Sequence, residues 1–351
     1  MKSNFLKLTP ILFSIVLFSS LIAPTSPVAI AASTTDGVSI SNETDQKIQD
    51  SKLAEILDTS RKIASEYKKN NLRSLNVSET KQVIDYYRIE NETGYFYETT
   101  PDNKESLVII DLNDTPLDKN IAESTSVAAA ISSIPSGIGG RAVISKNGSY
   151  LNATVTTATA SQMGSTKSGI GWIYSGFNGT GKRSNGTNYS MGTDMGLQYS
   201  NAYGYVKWTP YVLLNDGGKE IFGDPLRGYD KLQYKNGFVG GTDVNFTVYK
   251  NVNNNTRLSL IGFGVCADME CNNTEDTYLT SIIEVAGTNI NTVSTWKVLA
   301  TVAGSENVTG KNYARFSNIN LDGNAVTPVV DAQDYATVSV SGNNATINVS
   351  R

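Results

Sequence analysis

The residues able to do chemistry in this sequence are carboxylates, tyrosines, lysines and one pair of cysteines, because histidine is absent from all 351 positions. Without an imidazole, Ser-His-Asp and Cys-His nucleophiles have no general base. Most catalytic zinc sites lose their usual ligand as well. Acid–base work would fall to Asp, Glu, Tyr, Lys or water. Glycosidase chemistry needs two carboxylates held roughly 5–10 Å apart across a bond. Asp268 and Glu270 come nearest in spacing, but they lie between Cys266 and Cys271. Glu284 stands on a strand pattern with no acidic neighbour, and Asp194, Glu220, Asp224 and Asp243 sit by turn residues. No catalytic residue is assigned, and a carboxylate enzyme survives only if distant strands bring two acids together.

The spacing of Cys266 and Cys271 in an exported chain reads as a disulfide closing a small loop. No further Cys or His completes a metal set, so no metal ligand and no cofactor are assigned. Residues 318–323 begin like a calcium loop, yet Val329 stands where the closing Glu is needed. This stretch reads instead as a strand running into an Asp-Gly turn. Calcium held by converging loops elsewhere stays open.

Aromatic residues offer a second kind of chemistry. In residues 203–214, Val206, Trp208, Val212 and Leu214 alternate onto one face. Tyr203, Tyr205, Lys207, Thr209 and Tyr211 fall on the other. An outward row of tyrosines around a lysine suits sugar recognition, since tyrosine has a flat apolar face and a polar tip. The same pattern also fits cross-strand pairs that only stabilise an exposed sheet. Trp172 and Tyr174 share a face with Ile170 and read either as core or as further binding aromatics.

The elements that must carry these residues follow from composition and periodicity. Residues 1–32 read as a secretory signal, with Lys2 and Lys7, an apolar run over 11–22, and Ala29 and Ala31 for cleavage. Pro24 and Pro27 cut the run below the ~20 residues of a membrane span. The mature chain is expected to be secreted or held on the cell surface, with no stable span. About fifteen Asn-x-Ser/Thr sequons occur, Asn42, Asn147, Asn178, Asn245, Asn307 and Asn348 among them. That is roughly twice the chance number and fits a glycoprotein, or a by-product of Asn-rich turns. A net charge of -4 without a basic run argues against nucleic acid.

Residues 33–45 carry no apolar period and are expected to be unstructured. Leu53, Ile56, Leu57, Ile63, Ala64 and Tyr67 recur at helical spacing. A second helix is expected from Ser78 through Tyr87, and a hairpin over 95–99 and 106–112. The Ser/Gly-rich stretch 132–140 reads as a boundary, so 33–135 form a small helical or α+β region, a propeptide or spacer, ahead of a β-domain over 136–351. That second region shows about a dozen short strands with polar turns and no convincing helix. Its class is mainly β, an antiparallel jelly-roll β-sandwich.

Residues 171–176 (GWIYSG), 194–200 (DMGLQYS) and 208–211 (WTPY) resemble the pattern of the YrpD-like secreted proteins. These resemble concanavalin-A-like lectin/glucanase jelly rolls. The resemblance spans about 138–351 and implies the same fold reached from the strand pattern. It brings no catalytic assignment. The leading expectation is a non-enzymatic extracellular protein that binds glycans or another surface ligand through Tyr203, Tyr205, Lys207, Tyr211, Trp172 and Tyr174. The alternatives are a carboxylate-dependent hydrolase, glycosidase or acid peptidase, with residues 33–135 as propeptide, and a structural cell-envelope protein.

Overall fold

The computed structural model describes residues 33–35, 37–44, 47–75, 82–112, 137–183, 185–200, 206–215, 220–223, 236–265, 277–305 and 307–351. The signal segment, Tyr203, Tyr205, Cys266, Cys271, Asp268 and Glu270 lie outside the described residues.

Alternation writes the sandwich. In β7 (Tyr150–Thr157) Leu151, Ala153 and Val155 are buried, and Asn152 and Thr154 take the other face. In β13 (Asp243–Val252) Val244, Phe246 and Val248 are buried while Asn245 is exposed. In β21 (Asn344–Ser350) Ile347 and Val349 are buried while Asn348 is exposed. Period-two patterning of this kind fixes which face meets the core.

These strands belong to a first sheet. It runs β20 (Ala336–Ser341), β21, β17 (Lys311–Leu321), β7, β13, β14 (Asn255–Val265), β15 (Tyr278–Val285), every pair antiparallel. The second sheet runs β19 (Val329–Asp334), β6 (Gly137–Ile144), β16 (Ile290–Ala303), β8 (Gly171–Lys182), β9 (Asn188–Ser200), β10 (Lys207–Asn215), also antiparallel. β12 (Gly237–Phe238) pairs with both β10 and β14 and so joins the two sheets at one corner. One core collects the inward residues of both: Leu151, Phe246, Leu258 and Phe316 from the first, Ile173, Trp208, Trp296 and Val298 from the second. A four-residue helix, α2 (Ala160–Met163), interrupts the strands, its first turn closed by a Thr159–Gln162 capping box. Asp322 and Gly323 form the expected turn after β17, both with positive φ, and the Asp322 carboxylate accepts the backbone N–H groups of Ser149 and Tyr150.

The N-terminal residues continue the first sheet. β3 (Gln82–Glu90) pairs in parallel with β15 over eight residue pairs. β4 (Thr93–Thr99), β5 (Glu105–Asp111), β2 (Val38–Asn42) and β1 (Ser33–Thr35) follow outward. Helix α1 (Asp50–Leu75) lays Ile56, Leu57, Ile63 and Ala64 on Ile84, Tyr86, Tyr97, Leu107 and Ile282. Among the described residues no helix is long and apolar enough to cross a membrane.

Two sequence expectations are corrected here. Residues 82–90 form a strand and do not continue a second helix. Val83 and Tyr87 enter the main core and Ile84 and Tyr86 meet α1, so both faces are covered and the alternation that marks a strand is lost. Residues 38–42, expected to be unstructured, form β2, because Val38 and Ile40 are buried against α1 and β5. The boundary glycines Gly137–Gly140 begin β6. A Cβ on Gly139 would lie 2.6 Å from the Ala300 carbonyl oxygen, so glycine there permits close strand packing.

Where β3 meets the sandwich, a chain of charges runs from α1 inward. Lys52 Nζ lies 3.0 Å from Glu90, Arg88 Nε donates to Glu90 at 2.9 Å, and Arg88 Nη1 donates to Glu284 at 3.0 Å. Burial opposes ionisation of Glu90, but the hydrogen bonds from Lys52 and Arg88 outweigh it and hold its carboxyl below the ordinary glutamate range. A depressed folded pKa adds stability that is complete above the unfolded value and lost as pH falls through the folded one. Unfolding in urea at stepped pH is therefore expected to show an acid limb below about pH 4 that Glu90→Gln makes shallower. An acid limb of equal steepness in both proteins would contradict this.

Candidate functional site

The register of the second sheet sets out the side chains of its outer face in rows. One row runs Ala332, Arg141, Leu299, Tyr174, Gly196, Tyr211 across β19, β6, β16, β8, β9 and β10. The next runs Thr301, Trp172, Gln198, Thr209. Ile173 and Phe177, of opposite phase on β8, point into the main core. Tyr174, Leu299 and Ala332 form a small apolar cluster of their own, separate from that core.

Two glycines shape this face. Gly196 stands between Tyr174 and Tyr211, and without a side chain there the rings meet across it. Tyr211 packs edge-on against Trp172 at 4.4 Å and against Tyr174 at 6.2 Å. A Cβ on Gly196 would fall 2.6 Å from Tyr174 Cβ. Gly176 leaves a similar space for a lysine stem. Lys297 Nζ reaches to 2.6 Å from Asp194 Oδ1, and a Cβ on Gly176 would press on Lys297 Cε at 3.1 Å. Isolated glycines inside strands mark such close approaches.

Charges border the aromatics in pairs. Lys297 is matched by Asp194, and Arg141 Nε donates to Asp331 on β19's bulge. About a quarter of the Arg141 and Asp331 side chains and a third of Asp194 remain exposed. Burial, then the charge of Asp194, push the Tyr174 hydroxyl well above the ordinary tyrosine range. It therefore stays a neutral phenol. Gln198 is 7% exposed, and its Oε1 accepts no hydrogen bond. Among the described residues no cluster of three His, Cys, Asp or Glu could hold a metal ion.

Of the residues singled out from sequence, the fold gathers Trp172, Tyr174 and Tyr211. It also corrects the picture of an open tyrosine–lysine row. Lys207 is fully buried, its stem beside Gly237, and Tyr211 is 3% exposed. Alternation assigns a residue to a face but does not say whether that face is covered, and β10 is buried on both. Arg141, Lys297, Asp331 and Gln198 were not found from sequence. Asp194 was placed by a turn, whereas it lies inside β9. The strand glycines Gly176 and Gly196 were the available signal.

Comparison with known proteins places this face inside a matched region. A family model described as "Domain of unknown function, YrpD" matches residues 131–349. The Bacillus subtilis (strain 168) protein named "Uncharacterized protein YrpD" is 36% identical over 229 residues, which is 64% of this chain and 87% of that protein. Among solved structures, scytalido-glutamic peptidase with a transition state analog inhibitor aligns at a TM-score of 0.34 and 12% identity, over 62% of this chain and 98% of that one. SCP-B, an eqolisin-family peptidase in complex with a tripeptide, aligns at 0.31 and 11%, with the same coverage of each chain. Neither structural likeness is close enough to carry an argument. Helix α1 and strands β1–β5 precede the matched residues.

Proposed function

Because the chain belongs to the YrpD family, whose domain has no assigned function, its role has to be argued from its own site, and we propose that it is a secreted or cell-surface β-sandwich protein that binds glycan on the outer face of its second sheet. The observation carrying this reading is the gathering of Trp172, Tyr174 and Tyr211 outside the main core, bordered by two ion pairs. Trp172 and Tyr211 form a buried floor, and Tyr174 is the ring that keeps partial exposure. Rings with polar tips are the side chains that meet both the apolar face and the hydroxyls of a sugar. The signal segment, the Cys266–Cys271 disulfide and glycans on the sequons belong to the same reading of an exported chain.

The hydrolase alternative asks for two carboxyl groups free to trade protons in one cleft. On this face Asp194 and Asp331 are each held by a cation, which favours binding over turnover. Tyr174→Ala is expected to weaken glycan binding at least roughly tenfold, the scale of a lost aromatic contact with its hydrogen bond. A glycan array followed by calorimetry on folded protein checks this. No bound glycan on the array, or equal affinity in the variant, would refute the assignment.

A further inference from the structure

We infer that the outer face of the first sheet carries a separate binding surface on β17, β21 and β20 for a carboxylate-bearing saccharide chain, with Lys311 and Arg315 receiving its carboxylates. It shares no residue with the face of the second sheet, so either assignment can fail alone.

The charge argument starts from alternation in β17. Asn312, Ala314 and Phe316 are buried, Lys311 and Arg315 are exposed, and Tyr313 lies half-buried between them. Arg88, Arg141, Arg257 and Lys297 each meet a carboxylate. Among the described residues neither Lys311 nor Arg315 does. The acid of the same face, Asp243, lies two strands from Arg315 in the row Thr346, Arg315, Thr156, Asp243, and its Oδ1 accepts from Thr156 Oγ1 at 2.5 Å. Asp322, at the far end of β17, already takes the backbone N–H groups of Ser149 and Tyr150. Arg257 and Glu284, toward α1, satisfy each other. Arg351, next to Gly310 at the near end, is a further cation, its guanidinium stacked 4.2 Å from the Tyr335 ring centre. Cations are therefore in excess here, although the chain carries a net charge of -4. The Arg315 fork takes a carboxylate through two parallel hydrogen bonds. Lys311 stands four residues away, roughly 13 Å along an extended strand. One carboxylate cannot meet both, whereas a chain that repeats carboxylates can.

The saccharide part follows from what surrounds the cations. Two rows cross the strands, Thr337, Asn348, Tyr313 and Ser339, Thr346, Arg315. Thr337, Ser339, Asn348 and Ser350 are exposed and Thr346 is partly so. None of these side chains bonds to another protein group among the described residues. Hydroxyls and amides donate as well as accept, as sugar hydroxyls do. Tyr313 adds a ring with a polar tip between the two cations, suited to a pyranose face. A protein partner would instead call for an apolar centre, which these Ser, Thr and Asn side chains do not offer.

The test uses the full mature protein, with its mass read first, and three probes: hexagalacturonate, cellohexaose and hexaglutamate. Calorimetry is run at about 0.01 M and 0.15 M ionic strength. Wild type is expected to bind hexagalacturonate at least tenfold more tightly than either other probe, and less tightly at the higher salt. Arg315→Gln should lose about tenfold, the scale of a charge-assisted hydrogen bond. Arg315→Lys should lose less, since it keeps the charge without the fork. Lys69→Gln removes the same charge from an exposed position of α1 and should keep wild-type affinity. All variants should melt with wild type, because these side chains are exposed. Equal affinity for hexaglutamate would reduce the surface to bare charge and overturn the inference, as would equal affinity for cellohexaose. So would an equal loss in Lys69→Gln, unchanged affinity in the double variant Lys311→Gln with Arg315→Gln, or no binding of hexagalacturonate by wild type. A covalent glycan on Asn344 or Asn348 in the native protein would cover this face and overturn it as well.

Discussion

Glu284→Gln is expected to lower the unfolding free energy by about 3–5 kcal/mol, the cost of removing one partner from a buried ion pair. Glu284 is 1% exposed and uses both oxygens. Oε1 accepts from Tyr86 Oη at 3.1 Å, Arg88 Nη1 at 3.0 Å and Asn255 Nδ2 at 2.9 Å. Oε2 accepts from Arg257 Nε at 2.9 Å and Nη2 at 2.6 Å. Glutamine keeps the shape but offers one acceptor oxygen and turns an N–H₂ toward a guanidinium. Arg88 would still hold Glu90, whereas Arg257 would lose the charge that keeps its own pKa raised against burial. Urea unfolding measures the loss, and a change below about 1 kcal/mol would show that the cluster is not a unit. A second variant separates mechanism from misfolding. Replacing Arg88 and Arg257 by Met together with Glu284→Leu removes the orphaned charges, and is expected to recover most of the stability. The residues involved span β3, β14 and β15, so the N-terminal strands are expected to unfold in the same transition as the sandwich, with coincident transitions by fluorescence and circular dichroism.

This cluster also shows where sequence reading stops. Glu284 looked like a lone strand carboxylate because its partners are 27 and 196 residues away along the chain. Only the pairing of β15 with β3 and β14 brings them together. Local periodicity behaved differently. The faces of β7, β13 and β21 could be read directly, since one side of each meets the core and the other meets water. β3 could not, because α1 covers the side that would have been polar. The outer face of the second sheet falls between these cases. Trp172 and Tyr174 were visible as residue types, and the opposite phase of Ile173 decides that they leave the core. Their neighbours Leu299 and Arg141 become neighbours only through register, and nothing within β8 encodes that register. What β8 and β9 do encode is the gap: a glycine in each strand where a side chain would be expected.

That gap can be tested directly. Gly176→Ala is expected to cost about 3 kcal/mol, at the upper end for an overpacked site. A methyl group there would be driven into the Thr193 carbonyl oxygen on the neighbouring strand while also pressing on the Lys297 stem. A flexible side chain could yield, but a backbone carbonyl in a paired strand moves only if the pairing moves. The strands would have to separate between the Ser175–Met195 and Asn178–Gly192 pairs, where the β8–β9 register is otherwise constant. Gly192→Ala is the control. It lies on the same strand pair, opposite Asn178, and its Cβ would meet only Asn178 Oδ1 at an ordinary 3.6 Å. Alanine there is expected to be neutral or to stabilise by roughly 0.5 kcal/mol through the reduced entropy of the unfolded chain. The two variants differ by one methyl group each, so composition and propensity effects cancel between them. If both lose the same stability, the glycines reflect general strand flexibility and the close approach at Gly176 has no energetic meaning. If only Gly176→Ala fails, the space over that glycine is enforced by the backbone. Lys297 then reaches Asp194 because β8 keeps its side of the sheet bare at that position.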